Sequence, residues 1–393
     1  MKREVVIVSA VRTAIGSFGG SLKDLAPTEL AARVSREALR RAGVGGEEVG
    51  HVVFGHVINT EPKDMYLARV AAVNAGVGHG TPALTVNRLC GSGLQALISA
   101  AQCVLLGDAD IALAGGAESM SRSPHASNAM RWGTRMGDAT FVDMMTGALT
   151  DPFDGVHMGI TAENVAERYG ISREAQDALA CESHRRAAHA TAAGYFKEQI
   201  LPVALKTRKG EVLFDTDEHV RAATSLENLA AMRAAFKKDG SVTAGNASGL
   251  NDGAAALVLM ERSVAEQRGV QPLARLVSYA HAGVDPKVMG IGPVPASQKA
   301  LALAGLSAAD MDVVEANEAF AAQACAVAGE LQLDAARVNP NGSGIGMGHP
   351  IGATGAIISV KALYELQRTG GRYALVTMCI GGGQGIAAIF ERM

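Results

Sequence analysis

The sequence predicts an α/β fold with a mostly parallel sheet, because apolar runs of strand length alternate with stretches of helical length. A second observation is that the later part of the chain repeats the earlier part. Residues 312–320 resemble 51–58, residues 348–366 resemble 89–106, and residues 373–385 resemble 111–119. We therefore expect a duplicated α/β unit whose equivalent helix ends meet at a shared interface, where ligands tend to bind.

The first 120 residues contain the clearest predicted elements. The predicted strands cover 5–11, 51–57, 83–86 and 111–116, and the predicted helices cover 27–42, 65–75 and 94–106. The β-branched run at 5–11 is typical of a central strand covered on both faces. Because 94–106 carries no charge, we expect that helix to be buried all round.

A sharp turn at Cys90 connects the strand at 83–86 to this uncharged helix. Unpaired N–H groups and the helix dipole favour an anion at a helix N-terminus, which predicts a thiol that ionises more easily than a free cysteine. The following residues, Gly91 to Ala96, also fit the G-x-G-x-x-A pattern of dinucleotide-binding proteins. The turn alone therefore allows a nucleophile or a pyrophosphate site. Cys103, Cys181 and Cys325 are interpreted as core residues.

The stretch from 121 to 247 has a different character, with many Met, Arg, Asp and His residues and few strand-like runs. We expect an inserted loop domain there, with helices at 161–169 and 172–193. Residues 121–145 resemble a surface excursion that packs either on another subunit or on its own chain. The strand pattern returns at 248–262. The expected domains are an N-terminal half (1–120, completed by 248–270), the insertion (121–247) and a C-terminal half (271–393).

Composition excludes several classes of function. The 393 residues carry a net charge of −3 and only 4% aromatic residues, which argues against nucleic-acid binding. Five cysteines without a C-x-x-C pair or metal-ligand spacing indicate reduced thiols, no metal and a cytoplasmic location. The N-terminal apolar run is interrupted by Arg12, so it predicts a strand rather than a signal peptide. No apolar run is expected to reach membrane-spanning length.

Further turn motifs stand beside Cys90 in the chain order of a known family. NRLCGSGLQA, GGAESMS, HMGITAENVA, TAGNASGLNDGAAA, NEAFA, GHPIGATGA and CIGGGQG cover nearly the whole chain. In these motifs the sequence resembles the thiolase family, particularly bacterial acetyl-CoA acetyltransferases and β-ketothiolases. The resemblance implies a thiolase fold, with two similar αβαβα-layered halves plus an inserted loop domain. It also implies a homotetramer or homodimer, with the insertion contributing to CoA binding and oligomerisation.

The resemblance assigns roles in a reversible condensation of acyl-CoA with acetyl-CoA. Cys90 is the implied nucleophile, His349 its base and an oxyanion donor, and Cys379 the acid/base for the α-proton. Asn317 would bind an oxyanion through a water, and the Gly381 backbone N–H would complete an oxyanion hole. Coenzyme A and acyl-CoA are expected as substrates, with no permanently bound cofactor and C4–C5 ketoacyl chains included.

CoA-binding positions are carried over from the same resemblance. They are His157, Met158, Arg221, Phe236, Ala244, Ser248 and Phe320. The alternatives are a degradative thiolase of broader chain length, a β-ketoacyl synthase, a dinucleotide oxidoreductase and a non-catalytic CoA-thioester-binding protein. A synthase would be expected to carry a second histidine where Asn317 stands.

Overall fold

The computed structural model describes residues 3–208 and 210–393. The strands are β1 (Val5–Arg12), β2 (Gly16–Ser17), β3 (His51–Gly55), β4 (Ala83–Val86), β5 (Ile111–Ser119), β6 (His125–Ala126), β7 (Val142–Asp143), β8 (Val203–Thr207), β9 (Gly210–Phe214), β10 (Asn251–Glu261), β11 (Ala274–Gly283), β12 (Val313–Ala316), β13 (Tyr373–Ile380) and β14 (Gln384–Arg392). The helices are α1 (Pro27–Ala42), α2 (Leu67–Ala75), α3 (Ser92–Leu106), α4 (Met144–Ala148), α5 (Met158–Tyr169), α6 (Arg173–Ala192), α7 (Leu226–Ala230), α8 (Arg262–Gln267), α9 (Pro293–Ala304), α10 (Ala321–Glu330), α11 (Gly344–Met347) and α12 (Thr354–Thr369).

Most strands join one mixed sheet in the order β4-β3-β5-β10-β1-β11-β14-β13-β12, with β2 paired to β10. Only β3·β4, β3·β5 and β12·β13 are parallel pairs in the described sheet. The predicted mostly parallel sheet is therefore wrong. The reason is that β10 lies antiparallel between β1 and β5, and that β13 turns into β14 through three residues. A parallel connection would need a crossover of a dozen residues or more.

The duplication predicted from sequence is visible in the strand order. The first half runs β4-β3-β5-β10-β1. The second half runs β12-β13-β14-β11, and Val338 bridges the outer side of β12 where β4 stands in the first half. The two halves meet where β1 pairs with β11. Equivalent elements of the two halves are thus arranged around one central junction.

Helices α3 and α12 are equivalent elements that pack directly on each other at this junction. They cross at two glycines: a Cβ on Gly93 would lie 2.6 Å from the Ala356 nitrogen, and one on Gly355 would lie 2.3 Å from the Leu94 nitrogen. Only glycine allows two backbones to approach so closely. The crossing brings the turns that precede both helices, with Cys90 and His349, to the same place.

The expectation that α3 is buried all round is wrong at its end, because Leu105 and Leu106 are exposed. The segment Leu89–Leu106 is also long and apolar enough to cross a membrane by length and composition, contrary to the sequence prediction. In the fold, however, α3 packs against β3, β5 and α12. Its apolar composition is therefore that of a core helix.

Residues 121–247 contribute α4 to α7 and two small two-stranded sheets, β6-β7 and β8-β9. A buried ion pair ties this segment to β1. The Arg12 guanidinium binds both carboxylate oxygens of Asp217, at 2.7 and 2.9 Å, and neither side chain reaches solvent. Helix α6 packs on α10 and α11, close to the end of β12. The segment is thereby held against the junction of the two halves.

Candidate active site

The turn that carries Cys90 is held in a backbone conformation that leucine seldom adopts. Leu89 has φ 44°, in the left-handed region. The Ser92 hydroxyl donates to the Leu89 carbonyl at 2.6 Å and accepts from the Arg88 N–H at 2.8 Å. The Asn87 side chain accepts from the Leu89 N–H at 2.9 Å. These contacts place Cys90 just before the first turn of α3, as predicted.

The Cys90 sulfur receives backbone N–H groups from Gly381 and from Cys90 itself. Part of the residue remains open to solvent. Burial nevertheless raises the pKa of the thiol to about 11, and the nearby Glu118 carboxylate acts in the same direction. The prediction of an easily ionised thiol is therefore wrong for the free protein, because desolvation outweighs the N–H groups. Cys90 needs a base to take its proton.

His349 is buried and is fixed through both its ring and its backbone. Its Nδ1 lies 2.7 Å from the Thr354 hydroxyl, which itself donates to the Pro350 carbonyl at 2.9 Å. Nδ1 is therefore the protonated nitrogen, and Nε2 keeps its lone pair. The His349 N–H donates to the Asn251 side chain at 2.9 Å. Burial lowers the pKa of His349 to about 4, so the imidazole is neutral at pH 7.

Asn317 follows β12 and meets His349. Its Nδ2 lies 3.4 Å from the His349 Nε2. Its Oδ1 is buried and has no hydrogen-bond partner within residues 3–208 and 210–393. An unpaired buried amide oxygen is unfavourable unless a water or ligand completes it. This geometry suits the water-mediated role that the resemblance implies.

Cys379 is the penultimate residue of β13 and is fully buried. Burial raises the pKa of its thiol, and the neighbouring Cys90 raises it further. Gly381 follows in the tight turn to β14, where an added Cβ would lie 2.8 Å from Met158 Cε. A side chain there would displace the Met158 methyl group, next to the Gly381 N–H that faces the Cys90 sulfur.

Comparisons with known proteins decide the family. Residues 5–263 match the thiolase N-terminal domain and residues 270–392 match the thiolase C-terminal domain. The chain belongs to the thiolase family. It is 70% identical to the beta-ketothiolase BktB of Cupriavidus necator, over the full length of both chains. It is 53% identical to an acetyl-CoA acetyltransferase of Chromobacterium violaceum, covering 99% of this chain and 100% of that protein.

Solved structures of related enzymes agree with this family assignment. The crystal structure of the Bacillus anthracis acetyl-CoA acetyltransferase matches with a TM-score of 0.98 at 49% identity, covering 100% of this chain and 99% of that chain. The human mitochondrial 3-ketoacyl-CoA thiolase in complex with CoA matches with a TM-score of 0.96 at 44% identity, covering 100% and 98%. The predicted family, thiolase fold and enzyme class, an acyltransferase, are confirmed.

A cavity of 740 Å³ leads to His349 in this thiolase. It is lined by six of the seven positions predicted to bind CoA: His157, Arg221, Phe236, Ala244, Ser248 and Phe320. The seventh, Met158, lies behind the cavity in an apolar cluster with Cys379. The His157 ring stacks on Phe236 with centroids 4.7 Å apart, and its Nδ1 accepts from the Gly159 N–H at the start of α5.

The sequence missed several residues of this site. His184, His219 and Asn228 also line the cavity, together with apolar side chains on its inner side: Met120, Met145, Leu149, Leu250 and Ile351. Thr354 and Asn251, which hold His349, were missed as well. The GATG motif after GHP was a usable signal for Thr354. Asn251 and the cavity wall come from distant segments that no local pattern connects.

Proposed function

We propose that this thiolase is a β-ketothiolase that forms 3-ketoacyl-CoA and CoA from acyl-CoA and acetyl-CoA, reversibly, through an acyl group on Cys90. The observation that carries the proposal is the convergence of three groups at the junction of the halves. The Cys90 sulfur faces the Gly381 N–H and adjoins Cys379, and a neutral His349 stands on the cavity beside Asn317.

In the first half-reaction, His349 Nε2 takes the Cys90 proton. The base is needed because the pKa of the thiol is about 11, and it is available because His349 is neutral. The sulfur attacks the thioester carbonyl, and the N–H groups of Cys90 and Gly381 stabilise the oxyanion. The carbon–sulfur bond to CoA breaks, and the imidazolium returns its proton to the leaving thiolate.

In the second half-reaction, Cys379 removes the α-proton of acetyl-CoA. The charge of a Cys90 thiolate raises the pKa of Cys379, and acylation of Cys90 removes that charge. The pKa of Cys379 is therefore lower once the acyl-enzyme has formed, and more of this residue is the thiolate that can accept the α-proton. The enolate oxygen accepts a hydrogen bond from a water on Asn317, whereas neutral His349, with its proton on Nδ1, has no N–H for this oxygen. The enolate carbon then attacks the acyl carbonyl and the bond from that carbon to the Cys90 sulfur breaks, which leaves 3-ketoacyl-CoA. The released Cys90 thiolate takes the proton that Cys379 holds.

We propose short acyl chains, with C4 and C5 products. Cys90 packs against an apolar cluster of Ile58, Met120 and Ile351. Met145 and Leu149, in the α4 region, pack against the same cluster. Bulky side chains around the sulfur leave room for a short chain. The 70% identity to the Cupriavidus necator beta-ketothiolase supports this range.

The insertion, residues 121–247, is proposed to hold CoA and to form the contacts of a homotetramer, in a cytoplasmic enzyme. Arg221 is an exposed cation on the cavity wall and suits a phosphate or the adenine face. Large apolar side chains in the same segment are exposed: Met130, Trp132, Met136 and Phe141. Such side chains are typical of a surface covered by another subunit.

The deciding experiment is thiolysis of acetoacetyl-CoA and of 3-ketovaleryl-CoA by CoA. Cleavage of both by the wild-type enzyme and of neither by Cys90→Ala supports the proposal. The mass of one acetyl group on Cys90 after incubation with acetyl-CoA would show the acyl-enzyme. Cys103→Ala is the matched control, since Cys103 lies later in α3 and should keep wild-type activity. Cleavage of long chains alone would instead favour the degradative alternative.

A further inference from the structure

Three buried ionisable residues lie next to the site and have no part in the proposed reaction. They are His56 after β3, Asp64, and Glu118 in β5, and none is more than 2% exposed. The charge of the Glu118 carboxylate raises the pKa of the Cys90 thiol. This carboxylate also accepts the Gly352 N–H at 2.9 Å, so it anchors the turn that follows His349.

The duplication relates these residues to the proposed chemistry. Val53 pairs with Ala114 in the first half, and Val314 pairs with Leu375 in the second. His56 lies three residues after Val53, as Asn317 lies three residues after Val314. Glu118 lies four residues after Ala114, as Cys379 lies four residues after Leu375. His56 and Glu118 are therefore the first-half counterparts of the Asn317 and Cys379 pair.

Both carboxylates accept several hydrogen bonds. Glu118 accepts backbone N–H groups of Val57 and Ile58, each at 3.1 Å, besides that of Gly352. Asp64 Oδ2 accepts the Thr60 N–H, the Thr60 hydroxyl and the Glu61 N–H. The backbone N–H groups on Glu118 favour its charged form. Burial raises the pKa of Glu118, while His56 and these N–H groups oppose that effect.

His56 lies between the two carboxylates. Its Nδ1 is 2.9 Å from the Ala117 carbonyl, to which it donates, and 3.4 Å from Glu118 Oε1. Its Nε2 is 3.9 Å from Asp64 Oδ2. Within the described part of the chain, the His56 Nε2 and the Asp64 Oδ1 have no hydrogen-bond partner. A proton on Nε2 would give this nitrogen a donor role toward Asp64.

We propose that His56 is a positioning residue, held as an imidazolium between Asp64 and Glu118, whose positive charge offsets Glu118 and so eases ionisation of Cys90. The inference rests on the proposed function only in that Cys90 is the nucleophile. In the described residues, Asp64 and Glu118 are the charged groups facing His56. Cys90 is faced by Glu118, Cys379 and the Gly381 N–H.

The test is the rate of Cys90 alkylation by iodoacetamide across pH, followed by mass spectrometry on the free enzyme. His56→Gln removes a positive charge and should slow alkylation about three- to tenfold near neutral pH, as a shift of up to one pKa unit requires. Glu118→Gln removes a negative charge and should accelerate it by a similar factor. The double variant should return to within about twofold of wild type.

Opposite effects of the two single variants distinguish charge balance from simple loss of packing, which would slow or disorder both. Equal slowing of both variants, or no change in His56→Gln, would overturn the proposal. His56→Lys keeps a positive charge, so Cys90 should be alkylated faster in this variant than in His56→Gln. This comparison separates loss of charge from a folding defect in His56→Gln. Alkylation needs no turnover, so these outcomes stand even if thiolysis by Cys90 is disproved.

Discussion

The Nδ1 of His349 lies 2.7 Å from the Thr354 hydroxyl, and this hydroxyl donates its own hydrogen bond to the Pro350 carbonyl. The first residue of α12 thus selects the tautomer of the histidine one turn before it. The lone pair is left on Nε2, on the side of Asn317. In the role of base proposed for it, His349 would accept a proton without rearrangement.

Replacing Thr354 should therefore reduce turnover more than binding. Thr354→Val keeps the shape of the side chain but removes the acceptor for Nδ1–H. We expect kcat to fall roughly 10- to 100-fold, because a misoriented base lowers the population of reactive complexes. The KM for CoA should change little, since Thr354 is not on the cavity wall. Steady-state thiolysis measures both, and Thr354→Ser, which keeps the hydroxyl, should retain most activity.

Stability should depend on pH through His349. Its pKa is about 4 in the folded protein, below the ordinary value of 6.5, because of burial. The unfolded chain then binds more protons between these values, so the stabilisation is complete above about pH 6.5 and is lost as pH falls toward 4. For His349 alone the difference is on the order of 3 kcal/mol.

Urea unfolding at about pH 7 and about pH 5 measures this effect. His184 and His219 have pKa values lowered to about 4 by burial and should add to it. His349→Asn cannot titrate, and its stability should decline less over the same interval. An equal decline in both proteins would mean that His349 is not protonated on unfolding.

The glycine crossing of α3 and α12 should tolerate no side chain. A Cβ on Gly93 would lie 2.6 Å from the Ala356 nitrogen, which is backbone and cannot move aside cheaply. We expect Gly93→Ala to destabilise the protein by about 1–3 kcal/mol or more and to impair activity, because the Cys90 and His349 turns separate. Thermal unfolding and thiolysis rates test this.

Gly329→Ala is the matched control for the crossing. Gly329 is an exposed glycine in α10, and apart from its chain neighbours and its own helix backbone no described atom lies within 4 Å of an added Cβ. Alanine has the higher helix propensity, so this variant should be unchanged or slightly more stable. Similar losses in both variants would contradict the proposed role of the crossing.

Shortening a side chain of the cavity wall beside Cys90 should let the enzyme use longer acyl chains. Met145 lines the inner cavity and belongs to the apolar cluster that contacts Cys90. Met145→Ala should raise the ratio of kcat/KM for 3-ketohexanoyl-CoA over acetoacetyl-CoA about 10-fold, since extra methylenes in an apolar pocket contribute ~1–3 kcal/mol.

Met144→Ala provides the comparison. Met144 is the neighbouring residue of α4, but it is exposed and does not line the cavity. Its chain-length ratio should stay at the wild-type value. An equal shift of the chain-length ratio in both variants would indicate a general effect on α4 rather than a specific effect of the Met145 side chain in the cavity wall.

The sequence by itself determined most elements of this thiolase and predicted its candidate reacting groups. Strand and helix periodicities, the repeated order of motifs, and the turns at Cys90, Asn317, His349 and Cys379 are all local patterns. Six of the seven CoA positions implied by the family resemblance line the cavity.

The tertiary structure alone decided how these groups behave. The pKa of Cys90 is raised rather than lowered, because desolvation depends on every segment packed around the thiol and not on its position at a helix end. Strand β10 begins more than 130 residues after β5 ends, yet it pairs antiparallel with β5. The alternation of strands and helices predicts parallel pairing there. The His56–Glu118 pair exists only where two strand ends meet. Pairings distant in sequence and the exclusion of water are set by the assembled fold, and no local window contains them.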